Sequence, residues 1–120
     1  MTDQEFETAI NNALASLPAE HMDALKNVAI LYKDEPTPEQ RQQNGLRHGE
    51  TLLGLYEGVP LSHRNGMQPI YPDRITIFKL PIIQTAGPSR EAIQQEIRHT
   101  LWHEIAHYFG LNHTQIADLE

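Results

Sequence analysis

The sequence predicts one domain that combines α-helices with a short β-sheet, either α+β or α/β. Two stripes of apolar residues at helical spacing lie near the two ends of the chain, over residues 3–17 and 89–109. Between them lie three apolar runs too short for helices and bounded by turn residues, the pattern of strands. A chain of 120 residues can bury roughly two-thirds of its unfolded surface around a single core. Cysteine is absent, which excludes disulfides, thiolate-ligated metal and a thiol nucleophile.

The first helix is announced by Thr2-Asp3-Gln4-Glu5, a capping box that sets its start near Asp3. Phe6, Ala9, Ile10, Ala13, Leu14 and Leu17 then recur on one face, and Pro18 ends the run. Residues 19–25 can add a short helical turn, with His21 on the surface. Val28 to Tyr32 is strand-like and closes at Lys33-Asp34-Glu35-Pro36. Thr37 as N-cap, Pro38 at the first helical position and Gln40 at the third predict a brief helix to Gln43, stopped by Asn44-Gly45. Thr51 to Glu57 reads as a second strand, where Gly54 marks a bulge or a close neighbour. Residues 58–73 are rich in Pro and Gly and form a long loop; its His63, Arg64 and Tyr71 can line a cleft or simply face solvent. Arg74 to Leu80 is the third strand, and Pro81 reads as its end or as the sign of a sheet edge. Ser89 is the expected N-cap of the last helix, whose stripe is Ile93, Ile97, Leu101, Ile105 and Tyr108. Trp102 reads as packing.

That helix carries the chemistry. His103-Glu104-Ile105-Ala106-His107-Tyr108-Phe109-Gly110-Leu111-Asn112-His113 has the form H-E-x-x-H-x-x-G-x-x-H. On an α-helix His103 and His107 stand about 40° apart in azimuth and ~6 Å apart in rise, so two imidazoles can converge on one ion. Glu104 is turned about 100° from His103, where it serves better as a base for metal-bound water than as a ligand. A straight helix would carry His113 to the wrong side, about 240° round from His107. Gly110 supplies the left-handed residue that reverses the chain and brings His113 back. The chain's composition would yield the full motif by chance in about one in ten thousand sequences, which weighs against two unrelated helix-face histidines. His99, one turn upstream, reads as a neighbour of the site.

With these motifs in view the chain resembles the small bacterial zincin-like metallopeptidase family. Besides the histidine motif, the likeness rests on Asp34-Glu35-Pro36-Thr37-Pro38-Glu39, on Leu53 to Leu61 and on Pro72 to Phe78. The resemblance implies a compact minimal fold, α+β or α/β, with a mixed sheet of three to four strands packed on helices and the metal ligands on the C-terminal long helix. It also implies Zn2+ as cofactor, with His103, His107 and His113 as ligands, and Glu104 as the catalytic residue. No Met follows position 67, so the Met-turn of larger relatives with the same motif cannot form.

Three functions follow from such a site. The first is zinc-dependent hydrolysis of peptide bonds, with Glu104 taking the water proton. The peptide or protein substrate is then expected to add as a strand along Arg74–Leu80. The second is a zinc-bound but catalytically idle domain with a structural or protein-binding role. The third is a metal-dependent ribonuclease of the kind that matures ribosomal RNA; those sequences carry Gly where this chain has Glu104. The formal charge of −7 argues against nucleic acid and anionic membranes as partners. No apolar run approaches the ~20 residues of a membrane span and no signal-peptide pattern opens the chain, so a cytoplasmic setting is expected; the sequence does not set the oligomeric state, for which a monomer is the default.

Overall fold

A computed structural model describes residues 1–19, 22, 25, 28–46, 51–58 and 73–110. Among them are four helices and three strands: α1 (Asp3–Ser16), β1 (Val28–Lys33), α2 (Pro38–Gln43), β2 (Gly54–Glu57), β3 (Asp73–Phe78), α3 (Lys79–Ala86) and α4 (Arg90–Tyr108). The fold is α+β, and the three strands form a mixed sheet. None of the described helices is long and apolar enough to cross a membrane.

The local signals in the sequence are realised in hydrogen bonds. Thr2 Oγ1 accepts from the Glu5 amide at 3.1 Å while Glu5 Oε1 accepts from the Thr2 amide at 3.0 Å. Thr37 and Gln40 repeat this reciprocal pattern at the start of α2. Ser89 caps α4 by accepting from the Ala92 amide at 3.3 Å. Each pair satisfies donors that the first helical turn leaves without a partner.

The sheet order is β1-β3-β2, with β1 parallel and β2 antiparallel to β3. This corrects the expectation that Arg74–Leu80 is a sheet edge able to take up a substrate strand. Ile75 faces Ile30 on one side and Tyr56 on the other, so β3 is the interior strand. Its Ile75, Thr76, Ile77 and Phe78 are all buried, the near-continuous burial of a central strand rather than the alternation of an edge. Pro81 carries a different meaning from the one its position suggested. Lys79 and Leu80 begin α3, and Pro81 is its third residue, where an amide hydrogen would have no intrahelical partner. The Leu80 amide instead donates to the Asp34 carbonyl at 3.0 Å, fastening α3 to the end of β1.

The core lies between the sheet, α1 and α4. Phe6, Ile10 and Ala13 of α1 meet Ile93, Ile97, Leu101 and Ile105 of α4 over Ile75 and Ile77. Burial of each such large aliphatic or aromatic side chain contributes about 1.5–3 kcal/mol. Trp102 belongs to the same cluster, as its packing role requires. Polar clamps add direction: Gln94 Nε2 donates to the Ala9 carbonyl at 2.8 Å, and Lys79 Nζ, largely buried, pairs with Asp3 Oδ1 at 2.7 Å.

Gly54 is the point where β2 and α4 touch. A Cβ there would lie 2.6 Å from Thr100 Cγ2, with Ile77 Cδ1 and the Thr76 carbonyl oxygen at 3.3 Å. Glycine is therefore a condition for seating the metal-motif helix against the sheet. Gly54→Ala should cost about 1–3 kcal/mol, the usual penalty for overpacking. Thr100→Ser removes the offending methyl, so the double variant should recover part of that loss in a denaturant-unfolding cycle. Equal stability of Gly54→Ala and parent would show that the two elements are not in forced contact.

Candidate metal centre

Helix α4 uses two adjoining faces for two tasks. Ile97, Leu101, Ile105 and Tyr108 enter the core and fix the helix in rotation. That rotation leaves His103 and His107 half-buried beside the core while Glu104 is only 6% exposed. The ring centroids of His103 and His107 lie 4.6 Å apart with planes 70° from parallel, and the His99 ring is 6.5 Å from that of His103. One nitrogen from each of the two imidazoles and one carboxylate oxygen of Glu104 all lie within 4.8 Å of one another. Nitrogen and oxygen donors so gathered are of the kind that zinc takes. The set found by spacing alone is thus brought together at three positions. His113, the expected third imidazole, lies outside the described residues, as do His63, Arg64 and Tyr71. Gly110 has φ 79°, the left-handed turn required for the chain to reverse after the second histidine, and its amide donates to the His107 carbonyl at 2.9 Å.

Glu104 is held from outside its own helix. The Tyr56 amide, on the side of β2 turned away from β3, donates to Glu104 Oε1 at 2.9 Å. The same oxygen lies 3.3 Å from His107 Nδ1. When Nδ1 carries the proton of that contact, Nε2 presents the lone pair that a metal needs. Tyr56 is in turn fixed at its other end. Its hydroxyl donates to Asp73 Oδ2 at 2.5 Å, and its ring meets Tyr108 edge-on at 6.1 Å. Asp73 is 2% exposed. Sequence reasoning had no access to Tyr56, because a backbone amide is the same in every strand; only the buried acid at the head of β3 could have hinted at a polar partner nearby.

The hydrogen bond to the Glu104 carboxylate holds the His107 imidazole above its ordinary pKa of 6.5, although burial pulls the other way. The folded state therefore binds this proton more tightly than the unfolded chain does. The resulting stabilisation is fully present below the unfolded value and is lost as pH rises through the elevated folded one. In chelator, melting temperature should fall as pH increases across that window, and Glu104→Gln should flatten the fall by removing the cause. Parallel pH profiles for parent and variant would show that Glu104 does not set the His107 pKa.

H-E-x-x-H thus lies on a core helix of a compact α+β fold, with the donors of His103, Glu104 and His107 gathered as a possible metal site. A family model described as zincin-like metallopeptidase matches residues 25–120, and the chain belongs to that family. No curated protein matches it significantly. Among solved structures it is similar to a conserved hypothetical protein from Thermus thermophilus, at 18% identity and a TM-score of 0.57, over 99% of this chain and 100% of the other. At that identity the likeness speaks for the fold.

Proposed function

We propose that this protein is a zinc-dependent peptidase in which His103, His107 and His113 hold the metal and Glu104 is the general base. The observation that carries the proposal is the division of labour within the Glu104 carboxylate. Oε1 is tied to the Tyr56 amide and to His107 Nδ1, whereas Oε2 makes no hydrogen bond among the described residues. A carboxylate needed only for packing or for an ion pair would gain nothing from this arrangement. One anchored oxygen and one open oxygen suit a group that takes a proton and hands it on without losing its place.

Zinc, when bound, would lower the pKa of a coordinated water toward ~7 and polarise a carbonyl. The chain's own part is to orient the imidazoles through the core stripe of α4 and to hold the Glu104 carboxylate in place through the Tyr56 amide. The substrate lies on the side of α4 that faces the segment leading into β2, because β3 is interior. Elemental analysis together with cleavage of a mixed peptide library tests the proposal. About one zinc per chain is expected, with turnover that is lost in chelator and restored by zinc. Stoichiometric zinc with no turnover on any peptide would leave an idle zinc domain as the correct description.

A further inference from the structure

Two cavities adjoin the metal helix, and one residue belongs to both. The smaller, of about 280 Å3, is lined by Thr51, Leu52, Leu53 and Gly54 on one side and by His99, Thr100, His103 and Glu104 on the other. The larger, of about 770 Å3, lies between α2 and α3; Pro36, Pro81 and Leu46 line it together with Gln42 and Gln84, and Thr51 again lines it. The exposed Thr51 therefore lies between the two hollows, one beside the histidine pair and the other at the α2–α3 corner.

The chemistry of the two ends differs. In the smaller cavity the described residues include no lysine or arginine, while the Glu104 carboxylate lies in its wall. Leu52, Leu53 and the Thr100 methyl give an apolar side chain a surface to pack on, where a carboxylate would lose hydration without a lysine or arginine to pair with. In the larger cavity apolar residues are accompanied by the side-chain amides of Gln42 and Gln84. Each amide offers both a donor and an acceptor, the complement of a peptide unit. Arg41 and Glu35 also line it and offset one another in charge.

We infer that the two hollows act together as one binding groove for an extended peptide, with a neutral apolar side chain beside the metal site and at least two further residues crossing Thr51 into the larger cavity. The inference rests on the peptidase proposal for the nature of the ligand and goes beyond it in naming the pocket, the length and the side-chain preference. Interactions far from the reacting bond are a means of raising rate as well as affinity, so length should matter to this protein.

The probe is a set of synthetic peptides: a capped tripeptide with central leucine, versions lengthened by three residues at either end, and the same set with glutamate in place of leucine. Binding is measured on zinc-loaded Glu104→Gln protein, which holds peptides without cleaving them, and turnover on the zinc-loaded parent. Lengthening at one end, and not the other, should tighten binding by about tenfold or more. Gln84→Trp fills the larger cavity alone from an exposed position, so it should cancel that gain and leave tripeptide binding intact. Thr51→Trp should weaken both, and glutamate peptides should bind more weakly throughout. Matching melting temperatures for the variants establish that they fold. No gain from length, a gain that survives Gln84→Trp, equal binding of leucine and glutamate peptides, or no binding of any peptide would each overturn the groove. Length-dependent binding with no turnover by the parent would overturn the peptidase proposal and leave the groove standing. Turnover without any length effect would do the reverse.

Discussion

Glu104→Gln should retain full zinc occupancy and lose turnover by ~10²–10⁴-fold, the usual cost of removing a general base. The geometry makes this substitution unusually clean. The glutamine carbonyl oxygen can still accept the Tyr56 amide now bound by Glu104 Oε1, so the strand-to-helix tie survives. Gln is nearly the same size and a good helix former, so α4 should be undisturbed. What disappears is an oxygen that can take up a proton. Parallel measurements of zinc content and peptide cleavage on parent and variant separate the two roles. Equal turnover at equal zinc content would remove Glu104 from the reaction.

The second large effect is expected on the metal itself. His103→Ala and His107→Ala should each weaken zinc binding by more than the ~10–100-fold typical of losing an outer-shell partner. Both side chains are only half-buried, and alanine favours the helix, so the metal-free variants should still fold. Ligand binding stabilises the folded state by mass action, about 2.7 kcal/mol when free ligand is a hundred times its Kd. The parent should therefore melt at a higher temperature with zinc than with chelator, and the variants should show little or no such rise. Undiminished zinc loading in both would place the metal elsewhere in the chain.

The parts of this fold that were legible in the sequence are those decided within a few residues. The boxes at Thr2 and Thr37, the cap at Ser89, the buried stripe of α4 and the left-handed Gly110 each depend on local geometry that one residue type satisfies better than others. Gly54 could be flagged as a close approach because a missing side chain in a strand asks for a reason, though Thr100 could not be named. Strand order was beyond reach. Arg74–Leu80 reads as an edge if Pro81 ends a strand, and as an interior strand if Pro81 begins a helix; the difference lies in contacts with Val28–Lys33 and Gly54–Glu57, far away in the chain. At the site, the side-chain donors were legible from their spacing. The Tyr56 amide was not, since main-chain groups leave no mark in the sequence, and with it went the reason why the two oxygens of Glu104 differ.

The pairing of α1 with α4 has a consequence for the chain while it is being made. The apolar face of α1, with Phe6, Ile10 and Ala13, is completed by Ile93, Ile97 and Leu101 of α4, which a ribosome produces more than seventy residues later. At ordinary elongation rates that delay is roughly 4–15 s, far longer than the microseconds in which a helix forms. Until then the apolar face of α1 lacks its α4 partners, and the metal-motif histidines arrive on the very segment that supplies them. Completion of the core and of the candidate metal site are thus one event, so a nascent chain stalled before α4 has neither a finished interior nor the His103–Glu104–His107 cluster.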